Sequence, residues 1–200
     1  MIKAVIFDWG GVIAPNLNGG WMNILMDMLG ISFEELLPHW YAAGYEEFSK
    51  GHIDEKTFWI QFEKSFGRPL HIDTSKIWIE GGALLPFPGL MEFIKQLKAG
   101  GILIAVLSNT VRPLSEKLRD AGLYDDFDAV VLSDEVGIVK PSPAIYEEVI
   151  NRLGVLPTEC MYVDDMEKNL LPARGMGMTT VLANNSPVDT MSKIRSLLSF

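Results

Sequence analysis

The chain has 200 residues, 48% apolar and 22% charged, which suits one globular domain carrying at most a smaller insert and gives no sign of disorder. A formal net charge of −9 without a basic cluster argues against a nucleic-acid partner, and the single cysteine, Cys160, excludes an internal disulfide framework and fits a reducing compartment. No apolar run approaches the roughly 18 residues of a membrane span, and the residues before Asp8 are too few for a signal-peptide core, so a cytoplasmic protein with no membrane partner is expected.

The first strand is expected in KAVIF, which stops abruptly at Asp8, with Gly10 and Gly11 following in FDWGGV. Between Pro15 and Pro86 no strand pattern occurs, and the residues read as helices rich in aromatics. Ser32 and Glu35 form a capping box, and Asp54 opens a helix through EKTFWIQFEKSFG. Trp40, Tyr41, Tyr45, Trp59 and Trp78 are expected mostly in the core of this helical module. His39, His52 and His71 lack metal spacing and read as surface or packing residues. LLPFPG reads as the hinge back, so the expected division is a core of residues 1–14 and 86–200 with an inserted α-helical cap over 15–85.

Four more strands follow in ILIAVL, DAVVL, CMYV and TTVLA. All are apolar or β-branched without alternation, as in parallel strands covered on both faces. Amphipathic patterns separate them. Leu90, Phe93, Ile94 and Leu97 precede a closing Gly100, and Leu114, Leu118 and Ala121 mark the next stripe. Ile145, Val149, Ile150 and Leu153 follow a start at Ser142 and Pro143, with Ser142 placed to cap. The alternation predicts an α/β fold, a doubly wound, parallel, five-stranded Rossmann-like sheet.

In such a sheet the strand C-termini share one edge, and ligands bind there where the strand order reverses. Strand one ends at Asp8, strand two at Ser108 and Asn109, and strand four at Asp164 and Asp165, while Lys140 stands after strand three in VGIVKPSP. Several carboxylates without Cys or His suit Mg²⁺ as the cofactor. Ser108, Asn109 and exposed main-chain N–H groups supply donors and Lys140 a positive charge, which together make a phosphate site. A carboxylate can also attack phosphorus and form an aspartyl phosphate.

These residues resemble the haloacid dehalogenase superfamily, in its phosphatase branch with a helical cap after strand one. FDWGGV, LSNT, VKPSPAIY and YVDDMEKN carry the resemblance, in order and at the expected strand ends. It implies Asp8 as nucleophile and metal ligand, the Gly10 carbonyl as a second ligand, Asp165 as the principal acid and Asp164 beside it. Ser108, Asn109, Lys140 and the Gly10 main chain would bind the substrate phosphate. The superfamily's phosphatases mostly carry an aspartate two residues after the nucleophile as general acid and base, where this chain has Gly10. That glycine argues against phosphomutase chemistry. DxGG loops are similar to those of bacterial sugar-1-phosphatases and of the phosphatase domain fused to epoxide hydrolases. The expected activity is hydrolysis of a small phosphorylated metabolite, such as a sugar phosphate. The alternatives are a dehalogenase, which the acid pair VDD opposes, and a silent phospho-ligand-binding relative, which Gly10 alone favours.

Overall fold

The computed structural model describes residues 1–15, 20–71, 73–74, 77–78 and 85–198. Five strands form one sheet: β1 (Ala4–Phe7), β2 (Leu103–Ser108), β3 (Ala129–Leu132), β4 (Cys160–Asp164) and β5 (Thr179–Leu182). Their order is β3-β2-β1-β4-β5, and every pairing is parallel. The chain therefore winds outward from β1 on one side, then returns to its other side with β4. The order reverses between β1 and β4.

The helices after the first strand are α1 (Gly20–Leu29), α2 (Phe33–Ala42), α3 (Tyr45–Ser49) and α4 (Glu55–Phe66). Those interleaved with the later strands are α5 (Leu90–Ala99), α6 (Arg112–Asp120), the short α7 (Ser133–Val136), α8 (Pro143–Leu153), α9 (Glu167–Gly175) and α10 (Pro187–Leu198). The uniform apolarity of the strands follows from cover on both faces. Val5, Phe7, Ile104, Val106 and Val163 pack against Leu90, Phe93, Ile94 and Leu97 of α5 and Ile194 of α10. Ala4, Ile6, Ala105, Leu107 and Tyr162 pack against Ile145, Val149 and Ile150 of α8 and Leu170 of α9. Each fully buried Val, Leu, Ile or Phe among them contributes about 1.5–3 kcal/mol, which holds the strand ends in a fixed frame.

Helices α1 to α4 gather around their own aromatic cluster. Trp40 stacks on Trp21 at 4.5 Å between ring centroids and meets Phe58 edge-on at 4.7 Å. Trp59 and Trp78 are buried as expected, and both indoles donate to Glu55, at 3.1 and 2.6 Å. Tyr41 departs from expectation, standing 65% exposed, whereas Trp21 joins the cluster unforeseen. His39 sits between Phe62 and Phe66 with Nδ1 2.9 Å from Ser65 Oγ. The Ser32–Glu35 capping box forms, and Asp54 caps α4 through Thr57 N–H at 2.7 Å. The start of the expected hinge, Leu84, lies outside the described residues, and Phe87 N–H rejoins the sheet region by donating to Ile13 O at 2.8 Å.

Two local expectations need correction. Ala121 is exposed just past the end of α6, and Ser115 takes the buried place because its hydroxyl finds Asp134. Ser142 holds the N-cap position of α8, but its side chain makes no cap bond. Among the described residues no helix is long and apolar enough to cross a membrane.

Candidate active site

The strand ends bring together the residues singled out in the sequence. Asp8 follows β1 and is 8% exposed, its N–H donating across to Val163 O at 2.9 Å. The chain then turns on itself, with Trp9 O accepting from both Ile13 and Ala14 N–H at 2.9 Å. Trp9 N–H donates to Asp8 Oδ1 at 2.7 Å, and the buried Trp9 ring meets Tyr124 edge-on at 5.2 Å. Gly11 has φ +77°, and a Cβ there would overlap the Asp165 carboxylate. Only glycine fits that close approach. Gly10 is different, since its φ is ordinary and a Cβ would meet nothing within 4 Å.

Lys140 is 4% exposed, a buried ammonium between two carboxylates. Its Nζ lies 3.0 Å from Asp8 Oδ2 and 2.8 Å from Asp164 Oδ2. Burial alone would lower the Lys140 pKa, but Asp8 and Asp164 outweigh it and raise it. Asp8 is pushed up to about 7, by burial first, with Asp164 and Asp165 adding to the rise and Lys140 opposing it. Burial acts upward on Asp164 too, yet Lys140 and the donors around it hold its carboxyl below the usual value.

Those donors are numerous. Asp164 Oδ1 accepts from Met166 N–H at 2.8 Å and Asn169 Nδ2 at 3.0 Å. Oδ2 accepts from Lys140 and from the Tyr162 hydroxyl. Tyr146 OH in turn fixes the Asn169 carbonyl at 2.7 Å. Sequence reasoning passed over Tyr162 and Asn169, although Tyr162 stands two residues before Asp164 in a strand, hence on its side of the sheet. Asp165 is only partly buried, and Asp8, Asp164 and Asp165 each place a carboxylate oxygen within 4.8 Å of the others.

Ser108 ends β2 beside Leu132 of β3 and is 5% exposed. Asn109 engages Lys140 by main-chain pairing, with Lys140 N–H donating to Oδ1 at 2.8 Å and Nδ2 donating to Lys140 O at 3.0 Å. Its amide therefore fixes the loop that carries the lysine, before a cis Lys140–Pro141 bond.

The sequence matches the haloacid dehalogenase-like hydrolases over residues 2–177. Mouse bifunctional epoxide hydrolase 2 is 41% identical over 220 aligned residues covering 98% of this chain, which spans 38% of that protein's length. A glyceraldehyde 3-phosphate phosphatase of Methanothermobacter thermautotrophicus is 31% identical over 92% of this chain and 87% of its own. In fold, the chain is similar to a haloacid dehalogenase-family enzyme of Bacteroides thetaiotaomicron solved with magnesium and inorganic phosphate. That likeness has a TM-score of 0.74 at 21% identity, over 93% of this chain and 96% of that one. Strand order, the acids at its reversal and a family match over most of the chain converge on one assignment: the protein belongs to the haloacid dehalogenase-like hydrolases.

Proposed function

We propose that the chain is a Mg²⁺-dependent phosphatase acting on a small phosphomonoester, such as a sugar phosphate, through an aspartyl phosphate on Asp8. The observation that carries the proposal is a buried lysine bonded to Asp8 where the strand order reverses, with a second partly buried acid alongside. The names of the phosphatase relative and the magnesium- and phosphate-bound enzyme of like fold support it.

The donor set fits the cation. It is all oxygen and largely buried, and it gathers three carboxylates around the one ammonium of Lys140; burial first, and the neighbouring acids after it, hold the Asp8 pKa up. Asp8, Asp165 and the Gly10 carbonyl would hold Mg²⁺, while Asp164, with both oxygens already accepting bonds, orients Lys140. When bound, the ion would neutralise charge on the phosphate oxygens and on Asp8.

The chain's own groups perform the rest. Lys140 attracts the phosphate dianion, and the main-chain N–H groups of Gly10 and Asn109 donate to its oxygens, since those of Gly11 and Thr110 are already given to Ala14 O and Ser133 Oγ. The Asp8 carboxylate attacks phosphorus. An O–P bond forms to Asp8 while the ester bond breaks, and the leaving oxygen takes the electron pair. Water then attacks phosphorus, and Asp8 departs as a carboxylate with release of inorganic phosphate. Helices α1–α4 form the cap, which would exclude bulk water and select the leaving group. Gly10 supplies no proton to that group, so it must carry its own acidity.

Asp8→Asn should abolish turnover of p-nitrophenyl phosphate while the circular dichroism spectrum is kept, because an amide oxygen is a poor nucleophile. Turnover near the wild-type rate would remove Asp8 from the chemistry.

A further inference from the structure

A hydrogen-bonded seam joins the helical insert to the active-site turn, and it passes through one hydroxyl. Ser133 opens α7 and is fully buried. Its Oγ accepts from Thr110 N–H at 2.9 Å and lies 2.6 Å from Ser49 O at the end of α3, with Thr110 O at 3.1 Å. A hydroxyl has one hydrogen, and the shorter contact directs it to Ser49 O. Thr110 directly follows Asn109, whose amide pairs both ways with the main chain of Lys140. Lys140 Nζ ends on Asp8 and Asp164. The path from the insert's backbone to the nucleophile is thus covalent or hydrogen-bonded throughout.

A second contact presses on the same seam. Gly51, two residues beyond Ser49, has φ +70°, and a Cβ there would overlap the main-chain carbonyl of Asp134. The insert's backbone therefore lies directly on α7, with no room for a side chain between them.

We propose that Ser133 is a positioning residue, which sets the seat of the helical insert and the shape of the turn after β2 as one unit. Removing its hydroxyl strands a buried N–H at Thr110 and a carbonyl at Ser49, so either the turn or the insert must shift to find partners. A shift of about 1 Å at reacting groups is worth about a hundredfold in rate. The kinetic consequence rests on the phosphatase reading given above, whereas the seam itself does not.

The test compares Ser133→Ala and Gly51→Ala, which disturb the seam from its two sides, with Ser115→Ala. Ser115 is equally buried and donates to Asp134 Oδ2 at 2.6 Å, so its loss perturbs α7 without touching the turn. Thermal stability, kcat and KM for p-nitrophenyl phosphate with Mg²⁺, and amide hydrogen exchange at Thr110 are measured on all three. Comparable stability losses are expected throughout. Ser133→Ala and Gly51→Ala should lower kcat about tenfold to a hundredfold with little change in KM and speed Thr110 exchange. Ser115→Ala should keep kcat and Thr110 protection near wild type. Equal kcat losses in all three, or unchanged Thr110 protection in Ser133→Ala, would overturn the proposal. If wild type itself hydrolyses no phosphomonoester, the phosphatase reading falls, and the exchange measurement alone decides the seam.

Discussion

Gly10 offers the sharpest perturbation, because the structure separates it from its neighbour. Its φ lies outside the left-handed region and a Cβ would meet nothing within 4 Å, so the loop can take a side chain at its root without strain. Gly11→Ala would instead force a left-handed backbone and an overlap with Asp165. Replacing a glycine at a compatible φ gains about 0.4–1 kcal/mol through the unfolded state. Against this stands the repulsion of a further carboxylate beside Asp8, Asp164 and Asp165, which a bound cation would relieve. Folding of Gly10→Asp in Mg²⁺ should therefore be close to wild type. Its effect belongs to the chemistry. A positioned general acid is worth about 10² to 10⁴ in rate, and the gain is realised only where the leaving oxygen is a poor leaving group. The assay is kcat/KM for phosphomonoesters graded from aryl to alkyl, on both proteins. Wild type should fall steeply as the leaving group becomes less acidic, with sugar-1-phosphates ahead of sugar-6-phosphates. Gly10→Asp should match wild type on aryl esters and exceed it by about a hundredfold on alkyl esters. A flat wild-type series would refute the reasoning and place a proton donor elsewhere in the site.

Metal-free Asp8→Asn should be more stable than metal-free wild type. Folded Asp8 keeps its proton up to about 7 against 3.8 when free, so the native state binds more protons in that window and wild-type stability falls as pH rises through it. The ceiling is about 4 kcal/mol, and half of it would raise Tm by about 4–8 °C at pH 8, with a smaller gap at pH 5. Melting curves with chelator check this; an Asp8→Asn protein less stable than wild type at pH 8 contradicts it. Asp165→Asn should raise the Mg²⁺ concentration needed for half-maximal activity, whereas Asp164→Asn should mainly lower stability, because it loosens Lys140, Tyr162 and Asn169 together. The reverse pattern in a Mg²⁺ titration and a melt would exchange their roles. Lys140→Ala leaves two buried carboxylates facing each other, and denaturant titration should show a loss of about 3–5 kcal/mol without metal.

The sheet was legible because parallel strands covered on both faces are apolar throughout, and because acids stood at their ends. Lys140 was legible from its place between β3 and a helix, although its burial was not, since burial depends on Asp8 and Asp164 arriving from other strands. Asn109 looked like a phosphate donor from its place at a strand end. Its side chain also pairs with a loop 31 residues away, a contact that no local pattern encodes. Ser115 and Ser133 share that difficulty. A buried serine breaks an apolar stripe in sequence, and only its partner, Asp134 in one case and Ser49 in the other, explains why it is there. Trp21 was missed because an aromatic cluster drawn from separate helices has no period of its own.

The phosphatase mechanism requires a covalent bond from phosphorus to one oxygen of Asp8. Wild-type protein mixed with Mg²⁺ and p-nitrophenyl phosphate, quenched in acid during turnover and digested, should yield one peptide carrying a phosphoryl group, localised by mass spectrometry to Asp8. The label should be sensitive to hydroxylamine, as an acyl phosphate is, and absent from Asp8→Asn. Turnover with no label on Asp8, or a label on Ser108 in its place, would contradict the mechanism.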